Sequence, residues 1–254
     1  MSDDKSFPAG MVPLGETPFT FRCHPGVVCY TVCCKKVDLV LYPYDIIRLK
    51  HALGIHSETF LNNYSRLVSG GNPFFPTVML AMTENGQGVC PFLRESGCSL
   101  YDNRPTDCRT YPLERAVDRQ PERRQPREYY FLSNHDYCKG HLEPDSVTAR
   151  EYVRNQRLEE FNAYNDLWTE IDTLFRTNPW EGEGVGGPRQ QLAFMVCYNI
   201  DGFRQLAVER NLLAQFKLPK DRKRAIEQGD AEMLKFGFDW LKLILTGKSS
   251  LMRK

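Results

Sequence analysis

The feature that most constrains this chain is a run of cysteines near its N-terminus. Cys23, Cys29, Cys33 and Cys34 fall within twelve residues and end in an adjacent pair. Free cysteine is common as a small buried residue, but core packing alone rarely requires such a density. In a chain without an export signal, clustered thiols mostly hold a soft metal or carry out redox chemistry. The run therefore predicts a fold that contains ligand-bearing loops.

The remaining sequence predicts a reducing environment. Residues 1–5 are polar, and residues 7–21 contain prolines and glycines instead of a continuous apolar segment. The longest apolar tract near the C-terminus, residues 241–245, is interrupted by Lys242 and is far shorter than the ~20 residues that span a bilayer. We expect a cytoplasmic protein with no membrane insertion. The net charge of +1 argues against nucleic-acid binding.

A second set of cysteines follows the first. Cys90, Cys98, Cys108 and Cys138 bring the clustered cysteines to eight, whereas Cys197 lies far away and is expected to be a small core residue. Structural zinc and iron–sulfur clusters are both typically held by about four ligands. Eight thiols could complete two sites, and one site with spectator cysteines is equally allowed.

The adjacent pair bears on the kind of metal centre. Neighbouring side chains diverge, so Cys33 and Cys34 would have to bend the backbone to reach one ion, and they serve two ions or one multi-iron cluster more naturally. The imidazoles close to the cysteines are those of His24, His135 and His141. Thiolate-rich ligation suits both zinc and iron–sulfur clusters, and the adjacent pair favours the cluster. Reversible dithiol chemistry is a rival, but the sequence has no Cys-x2-Cys to support it.

We divide the chain into three parts. Residues 1–20 are expected to form a flexible N-terminal arm, because Pro and Gly recur there without periodicity. Residues 21–145 are expected to be a cysteine-cluster metal-binding domain, and residues 146–254 a helical C-terminal region with a Gly-rich linker at residues 178–188. The expected fold class is α+β, with a small cysteine-rich unit of short helices and a hairpin, followed by a C-terminal helical bundle.

Local patterns predict the first elements of this fold. Residues 37–42 alternate as a strand does. Pro43 is placed to begin a helix and Gly54 to end it. Ser57 is the predicted N-cap of a second short helix.

Later patterns predict a hairpin and further helices. Residues 77–83 and 89–93 have strand character, and the Asn-Gly pair at residues 85–86 is the predicted turn between them. Beyond residue 145 the apolar residues recur at helical spacing. The predicted helices cover residues 161–175, 192–209 and 230–245.

Three motifs in a fixed order carry a resemblance to a known family. Residues 98–112 read CSLYDNRPTDCRTYP, residues 41–45 read LYPYD, and residues 90–93 read CPFL. With these motifs the chain resembles the YkgJ-like cysteine cluster family, also described as a zinc- or iron-chelating domain. The matching order covers residues 21 to about 112, with a weaker tail through residues 138–140.

The resemblance implies which residues chelate metal. They are Cys23, Cys29, Cys33, Cys34, Cys90, Cys98, Cys108 and, on the weaker match, Cys138. The family opens with Cys-x2-Cys-x2-Cys-Cys, whereas the gaps here are five and three residues, so which thiols share an ion stays open. Arg104 and Arg109, which flank Cys108, are expected to support the ligand loop.

We therefore expect a cytoplasmic metal-chelating protein that holds iron–sulfur or zinc centres through cysteine thiolates. Some relatives resemble flagellin methylases, so an S-adenosylmethionine-dependent protein lysine N-methylase is the alternative. However, the glycines of residues 182–187 lack the preceding strand of a Rossmann-type cofactor turn. A further alternative is a metal-stabilised adaptor that binds a protein partner through the helices of Trp168 and Trp240. No residue stands out as catalytic.

Overall fold

The computed structural model describes residues 7–8, 10–83, 88–120 and 126–254. Its α-helices are α1 (Pro43–Leu53), α2 (Ser57–Tyr64), α3 (Thr106–Thr110), α4 (Ala149–Asn155), α5 (Leu158–Arg176), α6 (Pro188–Tyr198), α7 (Ile200–Glu209), α8 (Lys220–Gln228) and α9 (Asp230–Thr246). Its strands are β1 (Phe19–Thr20), β2 (Ser65–Asn72), β3 (Phe75–Leu80), β4 (Leu93–Arg94), β5 (Gly97–Cys98), β6 (Leu113–Asp118), β7 (Arg127–Leu132) and β8 (Ser146–Val147).

These strands form two-stranded antiparallel sheets. β2 pairs with β3, β4 with β5, and β6 with β7, while β1 pairs with the distant β8. Small hairpins thus occupy the cysteine-rich part of the chain, and helices follow them. The α+β fold class with C-terminal helices is confirmed.

Helix α1 begins and ends at the predicted residues. Pro43 occupies its first turn, where a missing N–H costs nothing. The amide of Tyr42, the residue before the helix, donates to the Asp45 carboxylate at 3.0 Å, so this N–H group at the N-terminal end has a partner. Gly54 ends the helix at φ 66°, a left-handed conformation that glycine adopts without steric cost. Local chemistry alone thus defines α1.

The hairpin pairing differs from the predicted one. β3 pairs with β2, with Ser65 opposite Leu80, rather than with residues 89–93. The predicted turn at residues 85–86 lies outside the described residues, and the amide of Thr83 donates to the carbonyl of Val89 at 2.9 Å. The sequence of β2 is polar and rich in glycine, so its strand character was not apparent from hydrophobic alternation.

The strand predicted at residues 37–42 is reduced to a single bridge. Val40 bridges Met79 on the free side of β3, and the amide of Leu41 donates to the carbonyl of Val78 at 2.9 Å. This short contact places the segment after Cys33 and Cys34 against β3. Asn199 likewise divides the helix predicted over residues 192–209 into α6 and α7.

One large hydrophobic core joins the cysteine-rich part to the C-terminal helices. It includes Leu41, Ile46 and Leu49 from the N-terminal half, and the tryptophans Trp168, Trp180 and Trp240. The rings of Tyr44 on α1 and Tyr164 on α5 stack at 4.1 Å between centroids. Cys197 is 1% exposed within this core, which confirms its predicted packing role. The metal-ligand candidates therefore lie on a scaffold that both halves of the chain build.

A second, smaller core lies under the described part of the N-terminal arm. Phe19 of β1 packs there with Leu113 of β6 and Tyr152 of α4. The ring of Phe7 contacts that of Tyr129 at 4.9 Å. Across the described ranges, no helix combines the length and the apolar character needed to cross a membrane.

Candidate metal centre

Four of the predicted ligands, here called the Cys23 group, come together from two distant segments. They are Cys23, Cys29, Cys33 and Cys138. The last three lie close enough to Cys23 for their charge to raise its pKa further. The amide of Lys139 donates to the sulfur of Cys29 at 3.0 Å and so ties the segment around residue 138 to the N-terminal run.

The other four predicted ligands form the Cys34 group, which consists of Cys34, Cys90, Cys98 and Cys108. Cys90 and Cys108 lie near Cys34, and Cys98 lies near both of them. The amide of Cys90 donates to the carbonyl of Cys34 at 2.8 Å. The short hairpin of β4 and β5 then turns Cys98 back beside the segment that follows Cys90. All eight predicted ligands thus divide into two groups of four.

The adjacent cysteines connect the two groups. Thr31, at φ 67°, turns the chain into a 3-10 turn over Val32–Cys34. The thiol of Cys34 donates to the sulfur of Cys33, which lowers the pKa of Cys33 and raises that of Cys34. Cys33 also lies near Cys108 of the other group. The two groups are therefore neighbours, and the Cys33–Cys34 peptide is their shared border.

Burial keeps several of these thiols protonated. Desolvation, followed by repulsion from the neighbouring cysteines, raises the pKa of Cys23 to about 11. The same two causes raise the pKa of Cys108, whose surface reaches solvent although protein atoms surround it densely. A metal cation reverses this preference, because it binds the thiolate form and releases the proton. The donor set thus fits a cation better than it fits free thiolates.

The side chains are close but do not converge on a point. Among the residues described, no three Cys, His, Asp or Glu side chains are arranged so that they could hold a metal ion together. The two groups are defined by proximity, and their side chains have to rotate to coordinate a common centre.

Backbone amides already point at two of the sulfurs. Besides the Lys139 amide at Cys29, the amides of Phe92 and Leu93 bond to the sulfur of Cys90. Amide donors of this kind offset the negative charge that thiolates bring to a metal centre. Lys35 and Lys36 are exposed beside the adjacent pair and add positive charge to the same region.

A buried carboxylate fixes the helix that carries Cys108. Asp45 is fully buried and accepts hydrogen bonds from the amide and the hydroxyl of Thr106, at 2.9 and 2.7 Å. Desolvation raises the pKa of Asp45 to about 6, although these hydrogen bonds oppose the shift. Asp45 thereby connects the start of α1 to the start of α3, two residues before Cys108.

Two buried arginines hold the loop that precedes α3. Arg104 donates to the carbonyl of Tyr101 at 2.6 Å, and its guanidinium lies 3.9 Å from the centre of the Tyr101 ring. Arg109 donates to the carbonyl of Gln156 at 2.8 Å and stacks on the ring of Phe161 at 4.7 Å. Their partners are backbone carbonyls, aromatic rings and the side-chain oxygen of Gln156, as expected for residues that support the ligand loop.

The three nearby histidines have protein contacts of their own. In His24, Nδ1 accepts from the amide of Gly26 at 3.1 Å, so Nε2 donates to Glu143 at 3.0 Å. His135 stacks between Tyr111 and Tyr137, with centroids 5.7 and 5.1 Å away. His141 packs against Phe21, and its Nδ1 lies 3.3 Å from the carbonyl of Thr20. The Nε2 atom of His141 is buried and has no hydrogen-bond partner among the residues that the structure describes.

The stack around His135 was not predicted from the sequence. Tyr137 lies close to Cys33, Cys138 and Cys29, and Tyr111 lies beside Cys138. The sequence signal that could have predicted the stack is the aromatic character of the residues next to Cys138. An argument from cysteine spacing alone does not use it. The stack forms one wall of the Cys23 group.

Comparison with known proteins finds a family match over the cysteine-rich part of the chain. Residues 22–139 match the CxxCxxCC family, whose description is "Putative zinc- or iron-chelating domain". No curated protein and no solved structure matches the chain. The matched range contains all eight cysteines of the two groups and excludes Cys197. This match confirms, for residues 22–139, the resemblance seen in the sequence.

Proposed function

We propose that the protein binds two neighbouring metal centres, one held by the thiolates of the Cys23 group and one by those of the Cys34 group. The observation that carries this proposal is the division of eight clustered cysteines into two sets of four. About four thiolates complete a structural zinc site or an iron–sulfur cluster. Two complete sets leave none of the eight cysteines as a spectator.

The position of the adjacent cysteines supports two centres over one. Apart from their contact with each other, Cys33 lies near Cys23 of one group and Cys34 lies near Cys90 and Cys108 of the other. Side chains of adjacent residues diverge, which suits delivery of one sulfur to each centre. The ligand assignment is thus Cys23, Cys29, Cys33 and Cys138 for one centre, and Cys34, Cys90, Cys98 and Cys108 for the other.

The family description names zinc or iron, and we propose iron in the form of iron–sulfur clusters. Both groups consist of cysteines alone, and the two ring nitrogens of the nearby His24 are already engaged. The amide bonds to the sulfurs of Cys29 and Cys90 are the kind that adjusts the potential of a cluster. Zinc bound by four thiolates is the competing assignment and predicts a redox-inactive protein.

A cytoplasmic location and a protein partner complete the proposal. Thiolate ligands persist in a reducing compartment, and the nine cysteines are free in the structure. Val28, on the loop of the Cys23 group, is 84% exposed, and Leu142 is 78% exposed just after Cys138. Exposed apolar side chains beside a metal centre suit contact with another protein.

Metal identity is tested by purifying the protein without oxygen and measuring its absorption, iron, zinc and acid-labile sulfide. We expect a brown protein with broad visible absorption, iron and sulfide, and no stoichiometric zinc. Cys197→Ser is the matched control, because Cys197 is buried in the hydrophobic core and should leave the metal content unchanged. A colourless protein with stoichiometric zinc would overturn the iron–sulfur assignment, and a metal-free protein would overturn the proposed function.

A further inference from the structure

Two segments of the C-terminal region concentrate positive charge. Residues 217–224 and 248–254 contain eight of the 33 basic residues of the chain but one of its 32 acidic residues, so the rest of the chain is net negative. The eight basic residues, here called the C-terminal basic surface, are Lys217, Lys220, Arg222, Lys223, Arg224, Lys248, Arg253 and Lys254. A near-neutral total charge therefore conceals a strong separation of charge along the chain.

The fold brings these two segments together. Phe216 forms an antiparallel β-bridge with Arg253. Asp239 of α9 joins the segments a second time, because its carboxylate pairs with Arg222 at 2.8 Å and its carbonyl accepts from the hydroxyl of Ser249 at 2.7 Å. The basic side chains of both segments thus belong to one part of the surface.

Most of these cations have no partner within the protein. Arg222 pairs with Asp239, and Lys223 lies 3.7 Å from Glu227. Across the ranges that the structure describes, the other six basic residues form no ion pair. All eight are exposed except Arg222, which is partly buried. Neighbouring like charges repel each other, so this surface favours an anionic partner.

An exposed apolar side chain lies among the cations. Met252 is 65% exposed. The amide of Lys217 donates to the carbonyl of Met252 at 2.8 Å, and the register of the bridge places these two residues directly opposite each other. Lys254, two residues further along, lies on the same face as Met252, while Phe216 faces the core and is 2% exposed. Met252 therefore points outward between two lysines.

We propose that the C-terminal basic surface binds the anionic face of a lipid bilayer, with its lysines at the headgroups and Met252 at the boundary of the acyl chains. Clusters of about four to eight basic residues bind anionic headgroups through their charge. An apolar side chain beside them gains further affinity by entering the acyl boundary. Such binding is peripheral and needs no spanning helix.

Other polyanions match only part of this surface. Nucleic acid or an acidic polypeptide supplies negative charge but no apolar layer for Met252. Every aromatic residue in the range 210–254 is buried, so none is available to stack on the bases of a single strand. The inference goes beyond the proposed metal binding and does not depend on it, because the basic segments lie outside the cysteine-rich range.

Sedimentation with lipid vesicles tests the proposal on the purified protein with its metal. Vesicles of phosphatidylcholine that contain roughly 30% phosphatidylserine are compared with vesicles of phosphatidylcholine alone. Double-stranded DNA and polyglutamate are titrated separately, at equal concentrations of negative charge. We expect binding to the anionic vesicles, weaker binding to the other three probes, and release from the anionic vesicles at high salt, which screens the charges.

Paired double variants assign the binding to this surface. Each lysine near an anionic leaflet strengthens binding by about fivefold, so Lys217→Gln with Lys254→Gln should weaken vesicle binding by about tenfold or more. The matched control is Arg150→Gln with Arg154→Gln, which removes two exposed charges from α4 in the smaller core. The control should change the affinity less than about twofold, because its charges are remote from the surface.

Met252→Gln separates a lipid surface from the other polyanions. It keeps every charge but removes the apolar contact, so it should weaken vesicle binding by about threefold or more and leave the weak DNA and polyglutamate binding unchanged.

Circular dichroism and metal content show whether each variant is folded, and the comparison of probes on the wild type needs no variant. Losses confined to the lysine double variant and Met252→Gln support the proposal. It would be overturned by equal binding to the two kinds of vesicle, by tighter binding of DNA or polyglutamate, by no binding to any probe, by equal losses in the two double variants, or by unchanged vesicle affinity in Met252→Gln.

Discussion

Replacing Lys50 with Met removes a buried cation that joins α1 to the C-terminal helices. The side chain of Lys50 is 7% exposed, and its ammonium lies 2.8 Å from Asp201 on α7 and 2.7 Å from Asp230 on α9. Met fills a similar volume but provides no charge. The variant therefore leaves two poorly hydrated carboxylates without their common partner.

The size of the effect follows from what remains around the carboxylates. Removing one member of a buried ion pair costs about 3–5 kcal/mol. Asp201 keeps the amide and hydroxyl of Ser57, and Asp230 keeps Arg204 at 2.7 Å. We therefore expect a loss near the lower limit, about 3 kcal/mol, which corresponds to a fall in Tm of roughly 6–12 °C for a chain of this size.

Urea unfolding followed by tryptophan fluorescence measures this loss, because all three tryptophans are buried in the shared core. Lys223→Met is the matched control, since Lys223 is 48% exposed and lies 3.7 Å from Glu227 within one helix. That pair should contribute no more than about 0.5 kcal/mol. A Lys50→Met loss no larger than that of the control would refute the reasoning.

Acid pH provides an independent check of the same cause. The pKa values of Asp201 and Asp230 are both lowered by Lys50 and by the other hydrogen-bond donors around the two carboxylates. A lowered carboxylate pKa stabilises the fold above the unfolded value of about 3.9 and loses this effect as the pH falls. The stability difference between the wild type and Lys50→Met should therefore shrink below about pH 4, and a constant difference would contradict an electrostatic origin.

Three further predictions follow from single residues. Burial raises the pKa of Asp45 to about 6, so ionisation of this carboxyl lowers the free energy of unfolding as the pH rises from about 4 to 6. Urea unfolding measured across this pH range should show that decrease in the wild type but not in Asp45→Asn. The same decrease in both proteins would contradict the prediction. In Gly237→Ala, the new Cβ would lie 2.7 Å from Val196 and 2.9 Å from Phe203, so unfolding free energy should fall by about 1–3 kcal/mol, whereas a gain would contradict the packing. Arg109→Lys loses the planar stacking on Phe161, so the melting temperature should fall by a few degrees, and an unchanged value would show that the stacking is dispensable.

The parts of the fold with local signals could be predicted from the sequence. Pro43 and Gly54 define the two ends of α1 by their own backbone preferences, and the structure agrees. The cysteine spacing likewise identified eight candidate ligands without any tertiary information. Such features depend on neighbours along the chain, which the sequence displays directly.

The features that depend on distant contacts could not be predicted. The partner of β3 is the glycine-rich β2. Packing sets the pairing of β2, because its sequence does not alternate between apolar and polar residues. The division of the cysteines depends on the contact between residues 29 and 139, which are far apart in sequence. Asp45 contacts the start of its own helix at Tyr42, and its second contact, with the distant Thr106, appears only in three dimensions.

The number of metal centres is the central claim, and counting metal in paired cysteine variants tests it most directly. Cys138 and Cys98 belong to different groups, and neither is part of the adjacent pair Cys33–Cys34. If each group holds one centre, Cys138→Ser and Cys98→Ser should each lose about half of the metal, and the double variant should lose nearly all of it.

The matched double variant Cys138→Ser with Cys29→Ser lies within one group and should retain about half of the metal, the same as Cys138→Ser alone. The account predicts this contrast between the two double variants, measured as metal per folded chain. Complete loss of metal in either single variant, or equal metal content in the two doubles, would contradict two separate centres.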